Sequence, residues 1–302
     1  MKKIVFAFLF SAIAFSAQKT QAQEFYVRAG GGYSGESGKT EFNSADPNGI
    51  TQIQQSTDIK VSADGATANV RALNGTLGSG FKFNVTGGYM FNPHIGAELG
   101  INYFFGDKKN IGSFSSPQIV SSERAYIRGV DLVPALYLTP AFSKLNPYAR
   151  IGIILTAGGK LDIETNVRQI NGGGAGTDIL VGARSEVKSR FSVGFSKVIG
   201  VTYPINEKLS VFGEVEIKNF SIKSKSAEIV AYETRAVNNG QATLVPGQQL
   251  ADLPVSEKKF EFSDDFDQST SNPPDENQPR KIPTQFVNAS GAGVNIGVRY
   301  AF

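Results

Sequence analysis

Cysteine is absent from the 302 residues, which excludes a disulfide framework, a thiolate metal site and a thiol nucleophile. A single histidine, His94, leaves imidazole-rich metal centres out of reach. Tryptophan is missing altogether. Beyond the N-terminus no apolar run approaches the roughly 20 residues that a membrane-crossing helix needs, and no stretch repeats its apolar residues at helical spacing. Charge of one sign is also missing: the formal net charge is +3, and Lys2, Lys3 and Lys19 account for all of it. A nucleic-acid partner would need a basic face that this chain does not carry.

What is present is glycine (33 residues), phenylalanine (22) and tyrosine (10), with a slightly negative mean hydropathy of -0.15. The first residues are organised differently from the rest. Lys2 and Lys3 precede an apolar run over residues 4–17 that only two serines interrupt, and Thr20-Gln21-Ala22 fits a small-x-Ala cleavage pattern. Residues 1–22 are therefore expected to be a cleaved secretory signal peptide, too short in its apolar part to span a bilayer, with residues 23–302 as one β domain.

Those residues alternate with period two, the pattern of strands that are apolar on one face only. Phe81, Phe83, Val85, Tyr89 and Phe91 interleave with Lys82, Asn84, Thr86 and Met90; after Asn92-Pro93-His94, a turn by composition, Ile95, Ala97, Leu99, Ile101, Tyr103 and Phe105 interleave with Gly96, Glu98, Gly100 and Asn102. Similar stretches begin near Glu24, Val130, Tyr148, Phe191 and Leu209 and end the chain at Phe302. The spacing predicts eight strands. Their connections alternate long and polar (first, third, fifth, seventh) with short and proline- or asparagine-bearing (second, fourth, sixth). A transmembrane barrel with short periplasmic turns and long extracellular loops has this alternation. Inserting residues 229–234 and 260–262 would give ten strands, against which their charge argues.

The final run, Asn295-Ile296-Gly297-Val298-Arg299-Tyr300-Ala301-Phe302, resembles the C-terminal signal read by the bacterial outer-membrane barrel assembly machinery, with Asn295, Gly297, Tyr300 and Phe302 in the signal's positions. With the hairpin of residues 81–105, it makes residues 23–302 similar to the small outer-membrane β-barrel family that includes OmpX and the transmembrane domain of OmpA. The resemblance implies an all-β, antiparallel up-and-down barrel in the cell outer membrane, exported through the periplasm. It also implies outer-membrane lipid and lipopolysaccharide as surroundings, and a structural or surface-interaction role with protein or host ligands at the loops. A narrow porin-like channel is the alternative. Nothing in the sequence resembles the peptidoglycan-binding domain of full-length OmpA proteins, and tyrosine and phenylalanine must supply the interfacial rings without tryptophan.

Period two places Arg28, Lys82, Glu98, Asp131, Arg150, Glu214, Glu216, Lys218 and Arg299 on inward faces. An eight-stranded barrel is just wide enough for side chains to fill it, so these nearly balanced charges are expected to pair. Closure should bring Glu214, Arg299 and Arg28 together. Lys197 is an exception, because it falls on the apolar face of strand six, which leads us to expect a bulge or register shift near Ser196-Lys197. No catalytic constellation is expected: His94 lies in a turn at the periplasmic end, and Glu214 and Glu216 two apart are an ordinary lumen pattern. No metal or cofactor is expected either, because the acidic group Asp264, Asp265, Asp267, Asp275 and Glu276 lacks calcium-loop spacing. Residues 160–168 and 179–187 alternate well enough to form a hairpin above the membrane, whose edge could accept a partner strand.

Overall fold

The computed structural model describes residues 24–42, 56–267 and 275–302, so the signal-peptide expectation for residues 1–22 lies outside the described residues. Eight strands close the barrel: β1 (Glu24–Glu36), β2 (Gly80–Met90), β3 (Ile95–Gly106), β4 (Ile119–Leu138), β5 (Asn146–Gln169), β6 (Val193–Pro204), β7 (Leu209–Asn219) and β8 (Gly291–Ala301). Each pairs antiparallel with its neighbours in the chain order of barrel strands, and β8 returns to β1 with Tyr26 opposite Ala301 and Glu36 opposite Gly291. Closure leaves no free edge in the wall, which a backbone surrounded by lipid requires.

The alternation has its expected consequence. Phe25, Val27, Phe83, Val85, Leu99, Ile101, Ile151, Ile199, Val215 and Ile296 all face outward and are exposed, while Arg28, Thr86, Glu98, Glu214 and Asn295 between them are buried. An apolar band of this kind is stable only against lipid. The short turns are tied by asparagine. Asn92 Oδ1 accepts from the backbone N–H groups of His94 and Ile95 at 2.8 and 2.9 Å, and Asn206 Oδ1 does the same for Lys208 and Leu209 at 2.9 and 2.8 Å. Asn146 Oδ1 accepts from Thr139 Oγ1 and from the Phe142 N–H in the turn between β4 and β5. His94 is thus an exposed turn residue whose ring faces the Thr139 carbonyl.

The other end is built differently from the polar connections read in the sequence. Strands β4 and β5 have 20 and 24 residues, about twice the length that crosses a bilayer. A register shift between Thr156 and Gly158 separates the membrane half of β5 from the half above. There β5 turns back into Thr177–Ser189, confirming the hairpin, and Ser221–Asn238 pairs along the outer side of that strand. The edge expected to accept a partner strand is therefore already occupied within the chain. Residues 229–234 and 260–262 belong to this upper sheet, so the barrel has eight strands rather than ten. Further short strands, Thr57–Val61, Lys109–Ser115, Lys259–Ser263 and Arg280–Pro283, extend it. Leu77, Phe104, Ile127, Ile163, Val187, Phe220, Phe262 and Ile282 form its buried apolar core, while Tyr26, Met90, Tyr137, Tyr148, Val198 and Phe212 form a second cluster low in the lumen.

The bulge expected near Lys197 does not occur. Strand β6 keeps one register across it, with Ile151 on one side and Ile217 on the other, and Lys197 is exposed on the lipid face. The two neighbouring ladders hold the strand straight, so the charge stays in place instead of rotating inward.

Candidate functional site

Four of the inward charges form a closed ring across the lower lumen. Arg28 of β1 lies 3.2 Å from Glu98 of β3 and 2.8 Å from Glu214 of β7, and Arg150 of β5 lies 3.1 Å from the other oxygen of Glu98 and 2.6 Å from that of Glu214. Each carboxylate is bridged by both guanidinium groups. Tyr26 donates to Glu98 at 2.8 Å and Tyr148 to Glu214 at 2.7 Å. The Arg28 guanidinium also sits 4.0 Å from the centre of the Phe212 ring. Both carboxylates are fully shielded from solvent. Ionised groups survive such burial only with partners of this quality.

Above the ring lies a second pair. Lys82 of β2 bonds to Glu216 of β7, to which Ser196 also donates at 2.7 Å. Asn295 ties the two layers together by donating to Glu214 at 3.1 Å and to Glu216 at 3.2 Å. Higher still, Asp131 and Lys218 face the lumen and attract each other without a direct bond; the Lys218 ammonium stands 4.3 Å over the Phe104 ring. Eight of the nine expected charges therefore belong to one column.

Arg299 does not join it. It lies directly across the β1–β8 ladder from Arg28, and like charges side by side turn apart. Arg28 points up into the ring, while Arg299 bonds to Glu24 at 3.1 Å and stacks 3.9 Å from the Tyr26 ring. The expectation of a Glu214–Arg299–Arg28 group is corrected accordingly. Of the terminal signal residues, Asn295 faces the lumen, Tyr300 and Phe302 face outward with ring centres 5.2 Å apart, and Gly297 lies under the Phe212 ring.

Sequence reasoning missed the partners Tyr26, Tyr148, Ser196 and Asn295, although period two places all four inward. It also missed a cavity of about 560 Å³ in the upper sheet. Leu161, Ile163, Thr165 and Val167 line it from β5, and Ile179, Val181, Ala183 and Val187 from the returning strand; Phe260, Phe262 and Ile282 close it. The signal was again period two: every lining residue of the hairpin has an odd number.

A closed barrel with an apolar outer wall, a polar lumen lined by paired charges and one structured end is an integral outer-membrane β-barrel protein. The family model of the outer membrane protein beta-barrel domain matches residues 6–245, and the chain belongs to that family. Its similar solved structures include OprG from Pseudomonas aeruginosa, at 13% identity over 95% of this chain and 99% of that one, TM-score 0.41. A major outer membrane protein from Thermus thermophilus is 11% identical over 93% and 100%, TM-score 0.35. Outer membrane protein W from E. coli is 15% identical over 94% and 100%, TM-score 0.30. A search of the curated proteins gave no match.

Proposed function

We propose that this outer-membrane protein acts as a surface-interaction module whose barrel is a plugged anchor and whose upper sheet binds a small apolar ligand. The observation that carries the reading is the cavity of about 560 Å³ walled mostly by leucine, isoleucine, valine and phenylalanine, with polar side chains such as Glu123, Gln169 and Glu257 among its lining. Small-molecule sites are typically mostly apolar concavities of about 300–1,000 Å³. Below it, the paired charges and the Tyr26–Tyr137–Tyr148–Phe212 cluster fill the lumen. The proposed role is non-catalytic.

The absence of tryptophan makes a direct test available. In Phe262→Trp the only indole lies in the cavity wall; in Phe83→Trp it faces lipid. A brominated alkane titrated into vesicle-reconstituted protein should quench the first saturably and at lower concentration than the second. Parallel quenching would mean partition into lipid alone and would sink the proposal. The alternative, a narrow ion or small-solute channel, requires the charge ring to open. Wild type and Glu214→Ala both silent in a planar bilayer would eliminate it.

A further inference from the structure

Between the aromatic residues at the two rims, the outward faces of the eight strands carry one charged side chain, Lys197. Its neighbours are Phe195 and Ile199 along β6, Ile151 across one ladder and Ile217 across the other. Among the described residues it has no ion-pair partner. It stands six residues from Tyr203, roughly 15 Å above the lower rim at ordinary strand rise and barrel tilt. A charge left bare at that depth is expensive and marks a functional contact by default.

The wall above it changes character. Asn219 faces Phe195 across the β6–β7 pair, one diagonal step from Lys197, and Ser221 follows on the same face; both are exposed. Diagonal cross-strand neighbours lie about 7–8 Å apart, within reach of a long side chain. Lys197, Asn219 and Ser221 thus make a polar stripe that climbs to the outer rim, the direction in which a lysine snorkels. The stripe's occupant must be anionic. A second copy of this chain cannot supply the charge, because no outward position of the eight strands in this band is a carboxylate. A foreign protein's carboxylate would itself have to be buried in hydrocarbon. A lipid phosphate already resides at the rim to which the stripe leads.

We propose that Lys197, Asn219 and Ser221 form a binding site for the phosphate of an anionic outer-leaflet lipid. Native mass spectrometry of the folded, delipidated full chain tests it, with phosphatidylglycerol, phosphatidylcholine and inorganic phosphate as separate probes. Wild type should hold one phosphatidylglycerol at least roughly fivefold more tightly than phosphatidylcholine, the scale of one lysine near an anionic surface. Lys197→Met and Asn219→Leu should lose that preference, and Lys197→Arg should keep it. Both losses are readable because removing polarity from a lipid-facing wall does not prevent folding, which gel mobility checks. The proposal is overturned if Lys197→Met keeps the preference, if wild type shows none, or if inorganic phosphate alone competes equally. A photo-crosslinker at position 197 in intact cells should yield a lipid adduct; a protein adduct would also overturn it.

Discussion

Replacing Glu214 with alanine tests the lumen ring at its most connected point. Glu214 accepts from Arg28, Arg150, Tyr148 and Asn295, so alanine leaves two buried guanidinium groups sharing the single carboxylate of Glu98. Removing one partner of a buried ion pair costs about 3–5 kcal/mol, because the remaining charge keeps its desolvation penalty without compensation. The Tyr148 hydroxyl and Asn295 amide lose an acceptor as well, although Asn295 retains Glu216. Loss of about 3–5 kcal/mol is therefore the expected outcome, read from urea titrations of folding into lipid vesicles with gel mobility as the probe. Combining Glu214→Leu with Arg150→Met removes one charge of each sign and leaves Arg28 with Glu98. The double variant should be less destabilised than the sum of its parts by about 1–3 kcal/mol. A shift under about 1 kcal/mol for Glu214→Ala, or strict additivity in the double variant, would refute the ring as a cooperative unit.

Further expectations concern the closing strand and the upper sheet. A Cβ at Gly297 would lie 2.2 Å from the Ala29 carbonyl oxygen and 2.5 Å from the Phe212 ring. Gly297→Ala should thus destabilise closure by about 1–3 kcal/mol in the same titration, whereas Gly87→Ala, which meets nothing within 4 Å, should be near neutral. Arg299→Ala loses the stack on Tyr26 and the bond to half-exposed Glu24, but neither Arg28 nor Glu214 depends on it. It should insert normally and cost less than Glu214→Ala. In the upper sheet, a hydrogen bond from Ser113 at 2.6 Å, helped by Lys60 and Arg71, holds the Asp58 carboxyl below the usual carboxylate range. Its contribution is present above the ordinary aspartate value of about 4 and is lost as pH falls below that. Hydrogen exchange in Thr57–Val61, corrected for the intrinsic rate, should accelerate on acidification in wild type and lose that dependence in Asp58→Asn. Surface proteolysis of intact cells should cut only on the long-segment side, first at tips such as residues 171–176 and 239–240. Cuts at residues 205–208 would reverse the topology.

Much of the wall was legible because lipid imposes a rule on every second residue. Phe81 to Phe91 and Ile296 to Phe302 must be apolar at alternate positions or the strand cannot sit in a bilayer. Period two therefore identified the strands, their outward faces and all eight charges of the lumen column, along with Arg299, which lies outside it. It could not identify which charges meet. Arg28 and Arg299 have the same chemistry and sit opposite each other, yet only the three-dimensional crowding of β1 against β8 sends one to Glu214 and the other to Glu24. Lys197 shows the converse: the pattern identified an offending residue, and the rule that lipid faces are apolar suggested a bulge. Two complete ladders instead hold β6 in register.

The sequence by itself determined the membrane class, the strand count, the alternation of short and long connections, and the inward set of charges. These follow from a local repeat read against a uniform solvent. Tertiary structure alone decided the pairing within the lumen, the upper sheet and its cavity. One core joins Ile163 to Phe262 and Ile282, about a hundred residues further along the chain, and nothing local in those polar-looking stretches requires that they meet.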